Sequence, residues 1–341
     1  MDFDPGYLAI FVASRLTSTA FGMPVAGALT RMQSNWVPKG KGEKGEKGEP
    51  AASVDVANDC TDLGVIGTIR RTWTIEGAGG IFKGTYLSTI ASLAGSFGSA
   101  MVDLASPFPR EPDSDAITNV IRGLGLSSPA ILGARITAAV ATNIAFIPFK
   151  VLISRSVVTP LRLSMSPSSI RGITSERERN GPWRLWAIPG MIANITLQTL
   201  TPFLVTAVTL PLLYAAAAAA TPQAENETVT AGCALAYIAA NTIPTLWMAP
   251  LKVLEEKLAV APDADMAEIK ATDAEFERFS AEDVVVARPP PRYTGLMDAF
   301  NTVRKEEGIG ALYRGWIWTA FYLSVSALNQ AVVAVNAAKW L

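Results

Sequence analysis

The 341-residue chain contains no histidine. That absence removes His-based triads, imidazole general bases and histidine metal ligands together. Only two cysteines occur, Cys60 and Cys233, far apart in sequence, so neither a disulfide framework nor a cysteine metal site is indicated. Charge is scarce as well. Asp, Glu, Lys and Arg make up 17% of the chain, where a soluble domain carries about a quarter. The 29 basic and 30 acidic residues leave a formal charge of −1, which gives no global attraction to nucleic acid. Half the residues are hydrophobic and the mean hydropathy is +0.28. A disordered chain is thereby excluded, and a membrane protein is the expectation.

A helix needs about 20 mostly apolar residues to cross a bilayer core. Six segments approach this, at about 5–33, 84–104, 130–153, 189–220, 230–254 and 316–341. Each mixes Ser, Thr, Asn or Gln with many Gly and Ala residues. Small residues allow close helix approach, and polar ones face a partner or a cavity rather than lipid. Longer polar stretches follow the first, third and fifth segments. Six spans with charge on alternate sides place both termini on one face. Two stretches read as insertions: the low-complexity run KGKGEKGEKGEP within about 37–58, and an acidic stretch at about 259–292, expected to be a surface excursion.

Two patterns recur three times. The first is a proline late in each odd segment with a basic residue seven positions on: Pro24 with Arg31, Pro148 with Arg155, and Pro250 with Lys257. The proline is expected to kink its span around a central cavity. The second precedes each even segment: EGAGGIFKG ending at Gly84, GPWRLWAIPG ending at Gly190, and EGIGALYRG ending at Gly315. It reads as a short surface helix leading into the next span. The glycine opens the even helix, whose free N–H groups suit a lipid phosphate. Lys83 and Arg314 add charge beside it, and Phe82 and Tyr313 suit the interface.

These residues resemble the mitochondrial carrier family over essentially the whole chain, most closely in YTGLMDAFNTVRKEEGIGALYRG. The resemblance implies an all-α membrane protein: six transmembrane helices in three tandem, pseudo-threefold repeats, with short surface helices between odd and even spans. The repeats would cover 1–105, 106–220 and 221–341. It further implies cardiolipin or another phospholipid held at Lys83, Gly84, Gly190, Gly295, Arg314 and Gly315, no other cofactor and no metal, and a mitochondrial membrane, the inner rather than the outer. In repeat two, Asn180 stands before Gly181 where the family has Glu.

In transporting members an acid two residues after the proline pairs with a base five residues after the proline of another repeat, closing the cavity. Here the first position holds Ala26, Lys150 and Lys252, and the second Leu29, Ile153 and Glu255. No repeat keeps the expected pair, and no aromatic-acid-x-x-basic gate is found on the even spans. The expectation is therefore a carrier-fold protein without ordinary alternating-access exchange. It would act as a structural or accessory subunit or adaptor, with membrane lipids and other membrane subunits as partners and no nucleic acid. The alternative is a divergent transporter of a neutral or weakly charged solute, with Asn194, Gln198, Asn329 and Gln330 lining a cavity. Nothing points to an enzyme: there is no nucleotide loop, no metal cluster and no nucleophile beside a base.

Overall fold

The computed structural model describes residues 5–38, 64–104, 129–163, 167–220, 227–261 and 290–338, together with Phe279 and Val285. Within these residues the chain is all-helical and has no strand. Eleven α-helices are described: α1 Pro5–Ser34, α2 Gly64–Ile81, α3 Thr85–Leu104, α4 Pro129–Ala145, α5 Ile147–Val158, α6 Glu176–Asn180, α7 Met191–Ala220, α8 Glu227–Thr242, α9 Thr245–Val260, α10 Leu296–Glu306 and α11 Trp316–Ala338. Three 3₁₀ turns, Pro167–Gly172, Pro182–Leu185 and Ile309–Tyr313, join them. The run 39–50 and the rest of the first insertion up to residue 63 lie outside the described residues.

Hydroxyl residues are compatible with these apolar helices because each satisfies its own O–H. Thr68, Thr72, Thr89, Thr199 and Thr209 all donate to the carbonyl four residues back. A hydroxyl closed in this way presents a methyl rather than an unmet donor. The helices end where the sequence offers breakers. Phe146 separates α4 from α5, immediately ahead of Ile147 and Pro148 at the start of α5. Ile243 and Pro244 separate α8 from α9.

Pro148 sits at a break, whereas Pro24 and Pro250 lie inside continuous helices. Among the described residues no single helix is long and apolar enough to cross a membrane. One bent pair, Ile136–Ala145 with Ile147–Val158 at 43°, meets that criterion jointly.

The chain forms two compact units, 1–99 with 144–194 and 251–315, and 100–143 with 195–250 and 316–341. Both cut across the three repeats rather than along them. In the first unit α1 packs on both α2 and α5, with Ala28, Met32 and Val65 at the α1–α2 contact. Ile147, Val151, Val253, Met191 and Val303 are fully buried there. In the second unit α8 packs on α11. Neutral polar contacts between its helices include Thr242 with Ser324 at 3.0 Å, Asn241 to Thr209 at 3.2 Å, and Trp247 to Thr201 at 3.1 Å.

Candidate functional site

The basic residue seven after each proline lies in the last turn of α1, α5 or α9. A helix C-terminus carries unpaired carbonyls and the negative end of the dipole, so a cation there is favoured locally. Each of the three is also buried against a glutamate from the polar stretch that follows. Arg31 Nη2 donates to Glu76 Oε2 at 2.9 Å and to the Gly80 carbonyl at 2.9 Å. Arg155 Nη1 donates to both Glu178 oxygens, at 2.9 and 2.8 Å. Lys257 Nζ donates to Glu307 Oε1 at 2.6 Å. All six side chains are at most 5% exposed.

The partner in repeat two is Glu178, two residues ahead of the position where Asn180 breaks the pattern. Glu178 is held by a capping box at the start of α6: its Oε2 accepts from the Ser175 N–H at 2.9 Å, and its own N–H donates to Ser175 Oγ at 3.2 Å. The Ser175-x-x-Glu178 signature is visible in the sequence.

A second set of contacts links one repeat to the next. Lys83, from repeat one, donates to the carbonyl of Thr159 at the end of α5. Arg155, from repeat two, donates through Nε to the Ala259 carbonyl in the last turn of α9, at 2.9 Å. Lys257 and Arg314, from repeat three, both donate to the carbonyl of Asn35, immediately after α1, at 3.1 and 2.7 Å. Gln33 Nε2 returns a bond to the Arg314 carbonyl at 3.1 Å. The result is a closed cycle, repeat one to two to three to one. Cations meet the carbonyl-rich ends of the odd-span helices at each step.

Lys83 and Arg314, expected to face a lipid phosphate, are turned inward. Lys83 Nζ lies 3.1 Å from Glu76, and the residue is 6% exposed. Burial pulls its pKa down to about 8, against the opposing attraction of Glu76. Arg314 pairs with Glu307 Oε2 at 2.7 Å.

The closing glycines Gly84, Gly190 and Gly315 share one left-handed conformation, with φ of +80, +84 and +75°. At Gly190 there is a second constraint: a Cβ there would collide with the backbone at Gly295 and Leu296. This places Gly190 directly against the N-terminal turn of α10, the position of Gly295.

The positions two and five after the prolines are only partly charged, yet one inter-repeat pair forms. Lys150 Nζ lies 2.9 Å from Glu255 Oε1, and Lys252 Nζ 2.9 Å from Glu255 Oε2. Lys150 belongs to repeat two and Glu255 to repeat three, so the pair has the family's register with its polarity reversed. Lys252 and Glu255 read in the sequence as a reversed pair within repeat three, and Lys150 joins them from repeat two. The two lysine side chains are 31% and 41% exposed.

The candidate cavity residues differ in their surroundings. Asn194 is fully buried and donates to the Leu251 carbonyl at 3.0 Å. Gln198 is 7% exposed, and Asn329 is exposed. The Gln330 side chain lies outside the described residues. The acidic insertion is not wholly a surface excursion. Phe279 donates its N–H to the Pro160 carbonyl at 3.2 Å. Its ring stands 4.5 Å from Lys83 Nζ and 5.3 Å from the Arg162 guanidinium. Val285 is buried. No sequence pattern marked Phe279, which shares its acidic stretch with a second aromatic, Phe276.

No family model matches the chain, and no curated protein matches it. Among the described residues no group of three or more His, Cys, Asp or Glu side chains could hold a metal.

Proposed function

We propose that the chain is a six-span membrane protein with the three-repeat plan of the mitochondrial carriers. In this reading it no longer exchanges solutes and serves as a structural or accessory subunit, or adaptor, in a mitochondrial membrane assembly, the inner membrane rather than the outer. The spans are α1, α3, α4 with α5, α7, α8 with α9, and α11. The observation that carries the reading is the contrast between two sets of charges. The contacts that tie one repeat to the next at the helix ends are buried or part-buried, and each of their cations has an acceptor. Of the charges that would open and close a cavity, one reversed pair remains, beside the apolar positions Ala26, Leu29 and Ile153.

Alternating access requires two states of similar energy. Charges that stay buried in satisfied pairs favour one of them. Exposed apolar side chains on the helices support a lipid setting: Phe21 and Ile66 are each 82% exposed, and Ile317, Phe321 and Tyr322 at least 60%. Bound cardiolipin belongs to this reading through the backbone N–H groups at Gly84, Gly190, Gly295 and Gly315, since Lys83 and Arg314 are engaged elsewhere.

Extraction of the native protein in mild detergent, followed by sizing and quantitative mass spectrometry, tests the proposal. Stoichiometric migration with a large membrane complex is the expected result. Migration as a lone species near 36.2 kDa plus detergent contradicts it. The Lys150–Glu255 pair, with Lys150 31% exposed and Glu255 buried, favours the second reading, a divergent transporter with a residual gate. Uptake of neutral solutes into proteoliposomes, abolished in a Glu255→Gln variant, would establish that reading instead.

A further inference from the structure

Within the repeat-three insertion, Phe279 makes contact with both other repeats. Its ring packs on Gly79 of α2, where a Cβ would stand 3.4 Å from two ring atoms. Two cations flank it, Lys83 Nζ at 4.5 Å and the Arg162 guanidinium at 5.3 Å from the ring centre. Its N–H donates to the Pro160 carbonyl at 3.2 Å. Leu161, the residue after that carbonyl, takes part in a single β-type bridge. All of these residues belong to the first compact unit. The seat therefore draws Gly79 and Lys83 from repeat one, Pro160 and Arg162 from repeat two, and its occupant from repeat three.

These contacts have the character of peptide recognition. Main-chain pairing supplies affinity with little dependence on sequence, and a pocket for one side chain supplies the selection. Here the selection is for a ring, since a cation within about 6 Å of an aromatic face is attracted by its quadrupole. The hold is also light. Phe279 is half-buried, whereas core residues such as Val253 and Val303 are fully buried. Lys83 is fixed independently by Glu76 and by the Thr159 carbonyl, so the seat keeps its shape when the ring leaves. The flanking sequence supplies charge of the opposite sign. Glu275, Glu277, Glu282 and Asp283 lie within four residues of Phe279, with Arg278 the one base among them. An aromatic in an acidic run is the electrostatic complement of a platform flanked by a lysine and an arginine.

We propose that this seat is a docking site for an acidic, aromatic-bearing segment of a partner protein, and that the chain's own 262–289 segment fills it in the free protein. A segment tethered within the same chain competes from an effective concentration on the order of millimolar. A partner's segment docks by displacing Phe279, so the insertion sets how strongly the joint of repeats one and two accepts that partner. The chemistry of the seat is the same whether the protein transports a solute or serves as a subunit, and loss of this docking would leave both of those readings standing.

The test uses the full-length protein in dodecyl maltoside and a fluorescein-labelled peptide of residues 271–287, read by fluorescence anisotropy. The peptide stands in for the partner's segment. Phe279→Ala, which vacates the seat, should bind it saturably. Wild type should bind at least about tenfold more weakly, because its own segment competes. Arg162→Gln or Gly79→Leu, each added to Phe279→Ala, should weaken binding at least a few-fold. A peptide carrying Phe279→Ala should bind as poorly, whereas one carrying Phe276→Ala should bind like the parent. Should Phe279→Ala fail to fold, as judged by thermal unfolding, Phe279→Leu takes its place, since it keeps an apolar side chain and loses the ring. Absence of saturable binding to the vacated seat, equal binding by wild type, binding unmoved by both Arg162→Gln and Gly79→Leu, or equal losses from the two peptide substitutions overturns the proposal.

Discussion

The cycle of ties at the helix ends and the remnant gate a few residues away use the same side-chain chemistry and differ in burial. Arg31, Arg155 and Lys257 are at most 5% exposed and meet glutamates equally buried. Lys150 and Lys252 are 31% and 41% exposed around Glu255, whose own side chain is 7% exposed. Removing one member of a buried pair leaves an uncompensated charge and costs about 3–5 kcal/mol. A pair in which the cation reaches solvent gains less from its partner, toward the range of about 0.2–1 kcal/mol of exposed pairs. The buried ties at the helix ends therefore carry more of the stability of the first compact unit than the partly exposed lysines around Glu255.

The sharpest way to break the contrast is within the cycle itself. Among the described residues Glu178 has Arg155 as its sole cation. Glu76 retains Lys83 if Arg31 is lost, and Glu307 retains Arg314 if Lys257 is lost. Arg155→Ala should therefore be the most damaging of the three, lowering stability by about 3–5 kcal/mol. Arg31→Ala and Lys257→Ala should each cost less, as read from thermal unfolding in detergent. Equal losses for all three would mean that the second cations contribute nothing.

Gly190→Ala comes next. It forces a left-handed alanine against the backbone of Leu296, and about 1–3 kcal/mol should be lost. Gly310→Ala, which meets no neighbour within 4 Å, is the matched control and should be near neutral.

A smaller effect comes from Lys83. Its folded pKa, about 8, lies below the ordinary 10.5. Between those values the unfolded chain binds more protons than the folded one, so stability rises with pH. This contribution is fully present above about pH 10.5 and is lost as pH falls through about 8. A change on the order of 1 kcal/mol between pH 7.5 and 9.5 is expected, and Lys83→Met should flatten it. A wild-type profile already flat across that window would show that the ammonium is better solvated than its contacts indicate.

The least effect belongs to the gate. A double-mutant cycle on Lys150 and Glu255 should give a coupling of about 0.2–1 kcal/mol. Reversing both charges together should restore most of it. A coupling above about 2 kcal/mol would place the pair among the buried contacts and weaken the contrast.

The all-helical character and the recurring Pro, Gly and basic positions were legible in the sequence because those residues fall at fixed offsets. The shared left-handed φ at Gly84, Gly190 and Gly315 is the conformation that only glycine adopts freely. The partner of Arg155 was hidden by a two-residue shift, although the Ser175–Glu178 capping box was there to be read. The direction of Lys83 and Arg314 was not legible at all. A basic residue beside a helix N-terminus fits a lipid phosphate as well as a distant carbonyl, and the choice depends on the neighbouring repeat. Phe279 illustrates the same limit: its two cations, Lys83 and Arg162, are remote in sequence. The breaks at Phe146 and at Ile243–Pro244 also escaped, since a hydropathy run gives length without continuity.

The most direct test of the claim that buried ties, rather than the gate, hold the repeats is a distance measurement. Spin labels at Lys150→Cys and Lys252→Cys, in a Cys60→Ser/Cys233→Ser background, remove the gate pair themselves. In cardiolipin-containing vesicles, pulsed dipolar spectroscopy should then give one narrow distance distribution, because the cycle through Thr159, Ala259 and Asn35 is intact. Two resolved populations would show a second state within reach and would contradict the account.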